Sequence, residues 1–250
     1  MELSAKNFYD QIAPSYHLLF TDWEESMARQ AKALDSVLRG RRLKGKRVLD
    51  LACGIGTQSL GLARMGYQVT AADISPLSVR RARREAARRL LKLDFAVADM
   101  RQAGRHFGPD FDVVIACDNA VPHLLSDAEI LGAFREARKC LKPGGLYLIS
   151  VRDYERELRA GEAFKYYGER QVGAALVSVF QTRRYFVRRY ELAMAFVTEK
   201  PGRPSRMEVA RSTYYAVGIR RLVALMKKAG FKAVRRMDKA FYQPLLVGEA

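Results

Sequence analysis

Two hydrophobic periods alternate through the middle of the chain. Short apolar runs near 46–51, 67–72, 93–97, 111–117 and 145–151 read as strands, and the stretches 57–65, 76–92 and 127–141 between them repeat apolar residues at helical spacing. Strand and helix in alternation build βαβ units, so the pattern predicts a Rossmann-like α/β fold around a doubly wound, mostly parallel sheet. A helix at 218–229 ending at Gly230, then runs at 231–236 and 242–247, would bring that sheet to seven strands. Across the second of the central helices Val79, Ala82, Ala86, Leu90 and Leu93 mark an inner face, leaving Arg80, Arg81, Arg84, Arg88 and Arg89 outward as a solvated row.

The first strand ends at a glycine turn, Val48-Leu49-Asp50-Leu51-Ala52-Cys53-Gly54-Ile55-Gly56-Thr57. Gly54 and Gly56 clear side chains where the backbone bends and meets a ligand, and the helix behind them offers unpaired N–H groups. Ser59 stands where a dinucleotide fingerprint has its third glycine, which argues against a nicotinamide enzyme. A second strand ends at Asp73, about 20 residues further on, the interval at which a strand-end acid grips a ribose diol. Two acids at neighbouring strand ends therefore define a site for a nucleoside-like cofactor.

The flanks are different in character. Met27, Ala31, Leu34 and Leu38 mark an amphipathic helix behind an aromatic stretch with Phe8, Tyr9, Tyr16, His17, Phe20 and Trp23. Residues 153–175 are charged and mixed; beyond them two strand-like runs, about 176–199 and 206–217, flank Pro201–Ser205 and read as an antiparallel hairpin. The expected organisation is one domain over 1–250. It comprises a helical lid (1–45), a cofactor-binding core (46–152), a small antiparallel insertion on the substrate side (153–217) and a C-terminal helix with strands (218–250).

Composition narrows the class. The chain has 250 residues, 49% of them hydrophobic, without an apolar span of transmembrane length, so no membrane crossing is expected. Met1 is followed by Glu2, Lys6 and Asp10 rather than a basic start and an apolar stretch, so no secretory signal is expected. Cys53, Cys117 and Cys140 lack paired spacing and point to a reducing cytoplasm, and with only His17, His106 and His123 no metal site is expected.

Asp50-Leu51-Ala52-Cys53-Gly54-Ile55-Gly56, Asp73, Ala98-Asp99-Met100, Phe111–Cys117 and Leu141-Lys142-Pro143-Gly144-Gly145 follow the order and spacing of class I S-adenosylmethionine-dependent methyltransferases, which the chain resembles from about 46 to 152. Outside those motifs, Cys117–Leu124, Ile149–Tyr154, Tyr166-Tyr167 and Arg211–Tyr215 resemble the glycine and glycine/sarcosine N-methyltransferase branch. The amino-terminal segment is shorter than in that branch and its aromatic residues come in a different order.

The resemblance implies S-adenosylmethionine as cofactor, S-adenosylhomocysteine as product and a small amine or amino acid as acceptor. It implies Asp73 on the ribose with Ile74 beside it, Asp99 and Met100 on the adenine, and backbone contacts from Ala52 and Cys117 beside Gly54 and Gly56. Arg29 would take the cofactor's carboxylate, and His123 and Tyr16 would lie near its methionyl end. Asp50 would order the glycine turn or bind the methionyl amine. On the acceptor side it implies Asn119, Arg152, Tyr166, Tyr167, Tyr214 and Tyr215. An arginine fork suits a carboxylate held by two parallel hydrogen bonds; the competing reading of Arg152 is an ion pair with Asp153 or Glu155.

Charge supports a rival. Lys and Arg total 44 against 27 acids, a net of +17 that suits nucleic acid. Against a nucleic-acid methyltransferase, Cys117-Asp118-Asn119-Ala120-Val121-Pro122 has neither the proline-proline-aromatic pattern of base-amine enzymes nor a Pro-Cys pair, and no basic RNA-binding domain is appended. A small-molecule O-methyltransferase is a further rival, and so is a cofactor-binding regulator without catalysis. Homo-oligomerisation stays open.

Overall fold

The computed structural model describes residues 4–40, 45–160 and 163–250. The chain opens with α1 (Ala5–Ile12) and α2 (Trp23–Arg39). Both start on side-chain caps, since Ser4 accepts from the Asn7 N–H and Asp22 from the Glu25 N–H. Met27, Ala31, Leu34 and Leu38 of α2 are buried, as their spacing predicts.

The alternating core follows as β1 (Arg47–Asp50), α3 (Thr57–Arg64), β2 (Gln68–Asp73), α4 (Pro76–Arg88), β3 (Asp94–Val97), α5 (Ala103–Phe107), β4 (Phe111–Ala116), α6 (Asp127–Lys139) and β5 (Leu141–Ser150). Next come α7 (Tyr154–Ala160), β6 (Phe164–Val172), β7 (Ala175–Tyr185), β8 (Arg189–Lys200), β9 (Arg203–Tyr215), α8 (Ile219–Lys228), β10 (Lys232–Met237) and β11 (Leu245–Glu249). Seven strands form one sheet in the order β10-β11-β5-β4-β1-β2-β3. Strands β1 to β5 pair in parallel, and β11 runs antiparallel to both β5 and β10. The expected doubly wound sheet is therefore present.

Both faces of this sheet are covered. Val48, Val69, Val113 and Ile115 pack towards Leu34 of α2 and Leu62 of α3, while Leu49 and Val114 pack towards Phe134 of α6 and Leu222 and Met226 of α8. A strand buried on both faces needs an unbroken apolar run rather than alternation, and every residue of β4 is buried. Strand order reverses between β1 and β4, which opens a crevice at their carboxyl ends. Leu90, expected on the inner face of α4, lies past the end of that helix and is exposed instead.

The runs expected to form a hairpin are three strands of a four-stranded antiparallel sheet, β6-β7-β8-β9. The run at 176–199 is two strands joined around Phe186–Arg188, where the Phe186 N–H bonds the Arg189 carbonyl at 2.7 Å. Strand β6 carries no alternation in its sequence because it is an edge strand with little of its length buried. The inner face, with Val177, Val179, Leu192 and Met194, packs on Phe8 and Ile12 of α1. At the other end, Tyr242 and Gln243, read as strand, lie in the turn before β11 and reach the site instead.

Candidate active site

Asp50 and Asp73 end β1 and β2 beside the glycine turn. Asp50 accepts the Ser59 hydroxyl at 2.6 Å and the Ala52 N–H at 3.2 Å. Asp73 accepts the Gly54 N–H and the Ser75 N–H, each at 2.8 Å. The two carboxylates thus hold the turn in shape, and each oxygen keeps a lone pair for a ligand. Burial pushes Asp50 up to about 7 and Asp73 up to about 6, even though these hydrogen bonds pull both downward.

Gly56 caps α3 at φ +99°, and a Cβ there would stand 2.9 Å from Leu60 Cγ, so packing alone requires glycine. Gly54 is different: at φ +52° its missing Cβ would meet nothing within 4 Å, leaving room for a ligand against the backbone. The buried acids, the open Gly54 face and the start of α3 fit a nucleoside cofactor. Ile74 follows Asp73 directly and is half-buried.

A cavity of about 1060 Å³ opens between the carboxyl ends of β4 and β5, the lid and the antiparallel sheet. Tyr16, Arg29, Asn119, Arg152, Tyr167 and Tyr214 all line it. Asp118 and Asn119 take left-handed backbone conformations, φ +56° and +63°, a cost that these two residue types bear better than most. Their backbone N–H groups bond the Ser150 side chain at 2.7 Å and the Ser150 carbonyl at 2.9 Å. The Asn119 side-chain oxygen accepts from the Arg152 N–H at 3.1 Å and the Tyr154 hydroxyl at 2.9 Å. Asn119 therefore braces the end of β5.

The Arg152 guanidinium lies among Tyr154, Tyr167, Tyr190 and Glu157; burial alone would lower its pKa, and these neighbours raise it instead. Neither Asp153 nor Glu155 is its ion-pair partner. Asp153 pairs with Arg236, and the partner of Arg152 is Glu157 at 3.6 Å, whose same oxygen already accepts from Arg183 at 2.7 Å. A fork with five donors keeps capacity for a ligand under those conditions. The Gln181 amide satisfies both neighbours when its oxygen accepts from Arg183 and its nitrogen donates to the Tyr167 hydroxyl at 3.1 Å. That frees the Tyr167 proton for the cavity.

The paired tyrosines do not act as pairs. Tyr167 sits at the β-bulge between Tyr166 and Gly168 and lines the cavity, while Tyr166, paired opposite Phe180, is 52% exposed. Likewise Tyr214 stacks on Tyr190, with centroids 4.9 Å apart, while the Tyr215 hydroxyl bonds Asp127 beside Arg221. Tyr166 and Tyr215 thus lie away from the cavity lining.

His123 lies between the lid and the antiparallel sheet. Its nitrogens meet the Tyr9 hydroxyl at 3.1 Å and the Ser212 hydroxyl at 3.3 Å, and its ring lies 3.9 Å from that of Tyr214. It fastens α1 to β9, and burial pushes its pKa down to about 3, leaving a neutral hydrogen-bonding bridge. Asp99 is clasped by Arg101, which outweighs burial and holds its pKa below the usual range, and Met100 packs on the hydrophobic core. Cys117 is a buried thiol at the end of β4, and Arg29 reaches the cavity with its side chain 67% exposed.

One residue escaped the sequence reading although its motif was in view. Asp118 accepts the Tyr16 hydroxyl at 2.8 Å and the Tyr242 hydroxyl at 2.5 Å, joining the lid and the C-terminal turn over the cavity. An acid next to the expected Asn119, just past a strand's carboxyl end, was the available signal.

Residues 48–145 match the family model of a methyltransferase domain. The chain is 34% identical over 161 residues to a glycine/sarcosine N-methyltransferase of Parasynechococcus marenigrum (strain WH8102), covering 62% of this chain and 57% of that protein. It is 30% identical over 155 residues to a ubiquinone biosynthesis O-methyltransferase of Xanthomonas campestris pv. campestris (strain B100), covering 59% of this chain and 63% of that one. These matches span about three-fifths of each relative's length. The crystal structure of Streptomyces venezuelae DesVI superposes with a TM-score of 0.79 over 99% of both chains at 18% identity, a likeness of fold.

Proposed function

We propose that the chain, whose residues 48–145 match a methyltransferase domain, is a class I S-adenosylmethionine-dependent methyltransferase acting on the amine nitrogen of a small molecule bearing an anionic group, an amino acid such as glycine or sarcosine. S-adenosylmethionine, when bound, supplies a methyl group on a sulfonium. The reading assigns Asp73, the Gly54 backbone and the start of α3 to that cofactor, with Asp99 and Met100 at its adenine end and Arg29 at its carboxylate. Direct displacement needs a neutral lone pair held in line and close, which is work for positioning groups. Arg152 holds the acceptor's carboxylate, and Tyr167 and Tyr214 bound the space around it.

One observation carries this reading: Arg152, two residues past the end of β5, lines the cavity with its fork only partly satisfied by Glu157. The cavity of about 1060 Å³ is lined by Arg29, assigned here to the cofactor, as well as by Arg152, so on this reading it houses part of the cofactor together with the acceptor. A screen of amino acids, other amines and hydroxyl compounds for formation of S-adenosylhomocysteine tests the class. Arg152→Lys keeps the charge but loses the fork, so it should raise the acceptor's KM while leaving cofactor affinity nearly intact. Converting the acceptor's carboxylate to an amide should do the same in the wild type and add little in the variant, because two changes to one contact must couple. Independent effects, or a preferred acceptor without an anionic group, would remove Arg152 from recognition.

A further inference from the structure

We propose that Asp118 is a catalytic residue that accepts the N–H of the acceptor amine, aims its lone pair and stabilises the positive charge that methylation places on nitrogen. The inference rests on the amine reading above and deepens it. Asp118 lines the cavity, in a left-handed turn whose backbone is tied to Ser150. Its side chain is oriented from two sides, by Tyr16 of the lid and Tyr242 of the C-terminal turn, with Gln243 at 3.5 Å.

Two donors do not exhaust a carboxylate, which offers about four lone-pair positions. No cation pairs with Asp118 among the described residues: its carboxylate accepts from the Tyr16 and Tyr242 hydroxyls and the Gln243 amide. Among the cations that line the same cavity, Arg236 pairs with Asp153 and Asp238, and Arg183 and Arg152 pair with Glu157. A carboxylate facing a cavity with neutral partners is suited to a cationic or proton-donating ligand group.

Asp118 and Arg152 are also adjacent by construction. Asp118 bonds the side chain of Ser150, Asn119 bonds its carbonyl, and the Arg152 N–H returns to Asn119. One cavity wall therefore presents a carboxylate and a guanidinium from neighbouring strand ends. That pair of charges matches an acceptor with an amine at one end and a carboxylate at the other.

Proton transfer is not the role. Reference carboxylic acids and ammonium groups differ by about four to six pKa units, so a carboxylate does not strip an ammonium, and the amine must react from its neutral form. As the nitrogen–carbon bond forms and the carbon–sulfur bond breaks, positive charge passes from sulfur to nitrogen. The Asp118 carboxylate faces that new charge, and the surplus N–H proton leaves afterwards to solvent. Stabilisation of charge that develops only during reaction is the kind that raises kcat.

The test begins with the wild-type protein loaded with S-adenosylhomocysteine and titrated with glycine, glycolate and acetate. Glycine should bind at least about 10-fold more tightly than acetate or glycolate, the usual weight of a charge-assisted hydrogen bond. Asp118→Asn keeps the side chain's shape and should erase most of that preference without changing affinity for S-adenosylhomocysteine or acetate, whereas Arg152→Lys should weaken glycine and acetate together. In turnover with glycine or sarcosine, Asp118→Asn should lower kcat about 100-fold and move the acidic limb of its pH profile down by about one unit, because the bound amine loses the anion that favours its charged form. Acetate binding as well as glycine in the wild type, or a variant that loses S-adenosylhomocysteine affinity with the limb unmoved, would overturn the proposal. A wild type that binds neither glycine nor sarcosine is a different result, which removes the amino-acid reading and this proposal with it.

Discussion

Asp50 and Asp73 bear the strongest tension between burial and charge in the core. Each is buried and raised, to about 7 and about 6, so the folded state retains protons that the unfolded chain releases near pH 4. Their contribution is then fully present below pH 4 and is lost as pH rises through 6 to 7. His123, lowered to about 3, has the opposite sign, because its neutral ring favours the fold above the ordinary histidine value and loses that advantage as pH falls. Comparing variants isolates one group. Asp50→Asn can still accept the Ala52 N–H and can donate to Ser59, whose hydroxyl rotates to accept. Its unfolding midpoint should therefore fall less between pH 5 and pH 8 than that of the wild type, by about 2–4 °C for each kcal/mol of removed charge burial. Parallel melting curves across that range would place the titration elsewhere.

At the scale of elements, α1 is an eight-residue helix that could not persist alone, and what holds it is docking. Phe8 and Ile12 bury against the antiparallel sheet, Tyr9 reaches His123, and Asp10 accepts the Ser75 hydroxyl at 2.6 Å and the Leu77 N–H at 3.2 Å. Ser75 in turn caps the Ser78 N–H, so the lid completes the first turn of α4 just beyond Asp73. Asp10→Ala should cost about 1–2 kcal/mol and speed hydrogen exchange across residues 5–12 and 75–79, with the centre of β4 unaffected. Equal exchange in both proteins would show that apolar contacts alone seat the helix. This docking was not legible in the sequence, because the aromatic stretch that carries Phe8 and Tyr9 offers apolar side chains without naming what covers them. Local signals were legible where one residue type meets one need: the buried β4 run, the glycine turn and the two strand-end acids. Which tyrosine of each pair faces the cavity was not legible, since it is set by a β-bulge at Tyr166-Tyr167 and by the pleat at Tyr214-Tyr215. Nor was the role of Asp118, which depends on Tyr16 and Tyr242 arriving from opposite ends of the chain.

For the whole molecule, the net charge of +17 is the feature that the amine reading leaves over. A nucleic-acid footprint gathers cations in one stripe, whereas here exposed Arg80 and Arg84 lie on α4, Arg189, Arg203, Arg206 and Arg211 on the antiparallel sheet, and Lys227, Lys228, Lys232 and Arg235 around α8 and β10. Part of the α4 row is internally satisfied: buried Glu85 pairs with Arg81 at 2.6 Å and with Arg89 at 2.6 Å. Cations distributed in this way attract a polyanion without fixing its register, so any RNA should bind indifferently to sequence through phosphates alone. Affinity of that kind falls with salt in proportion to the phosphates contacted, and six to ten contacts would cost about 10³–10⁵ between 50 and 200 mM. A filter-binding titration across that range, with radiolabelled methyl donor present, measures both properties at once. Steep loss without incorporated methyl is expected. Binding that survives above physiological salt, tracks one RNA and leaves methyl in it would make nucleic acid the acceptor, and the Arg152 cavity would then have to admit a base.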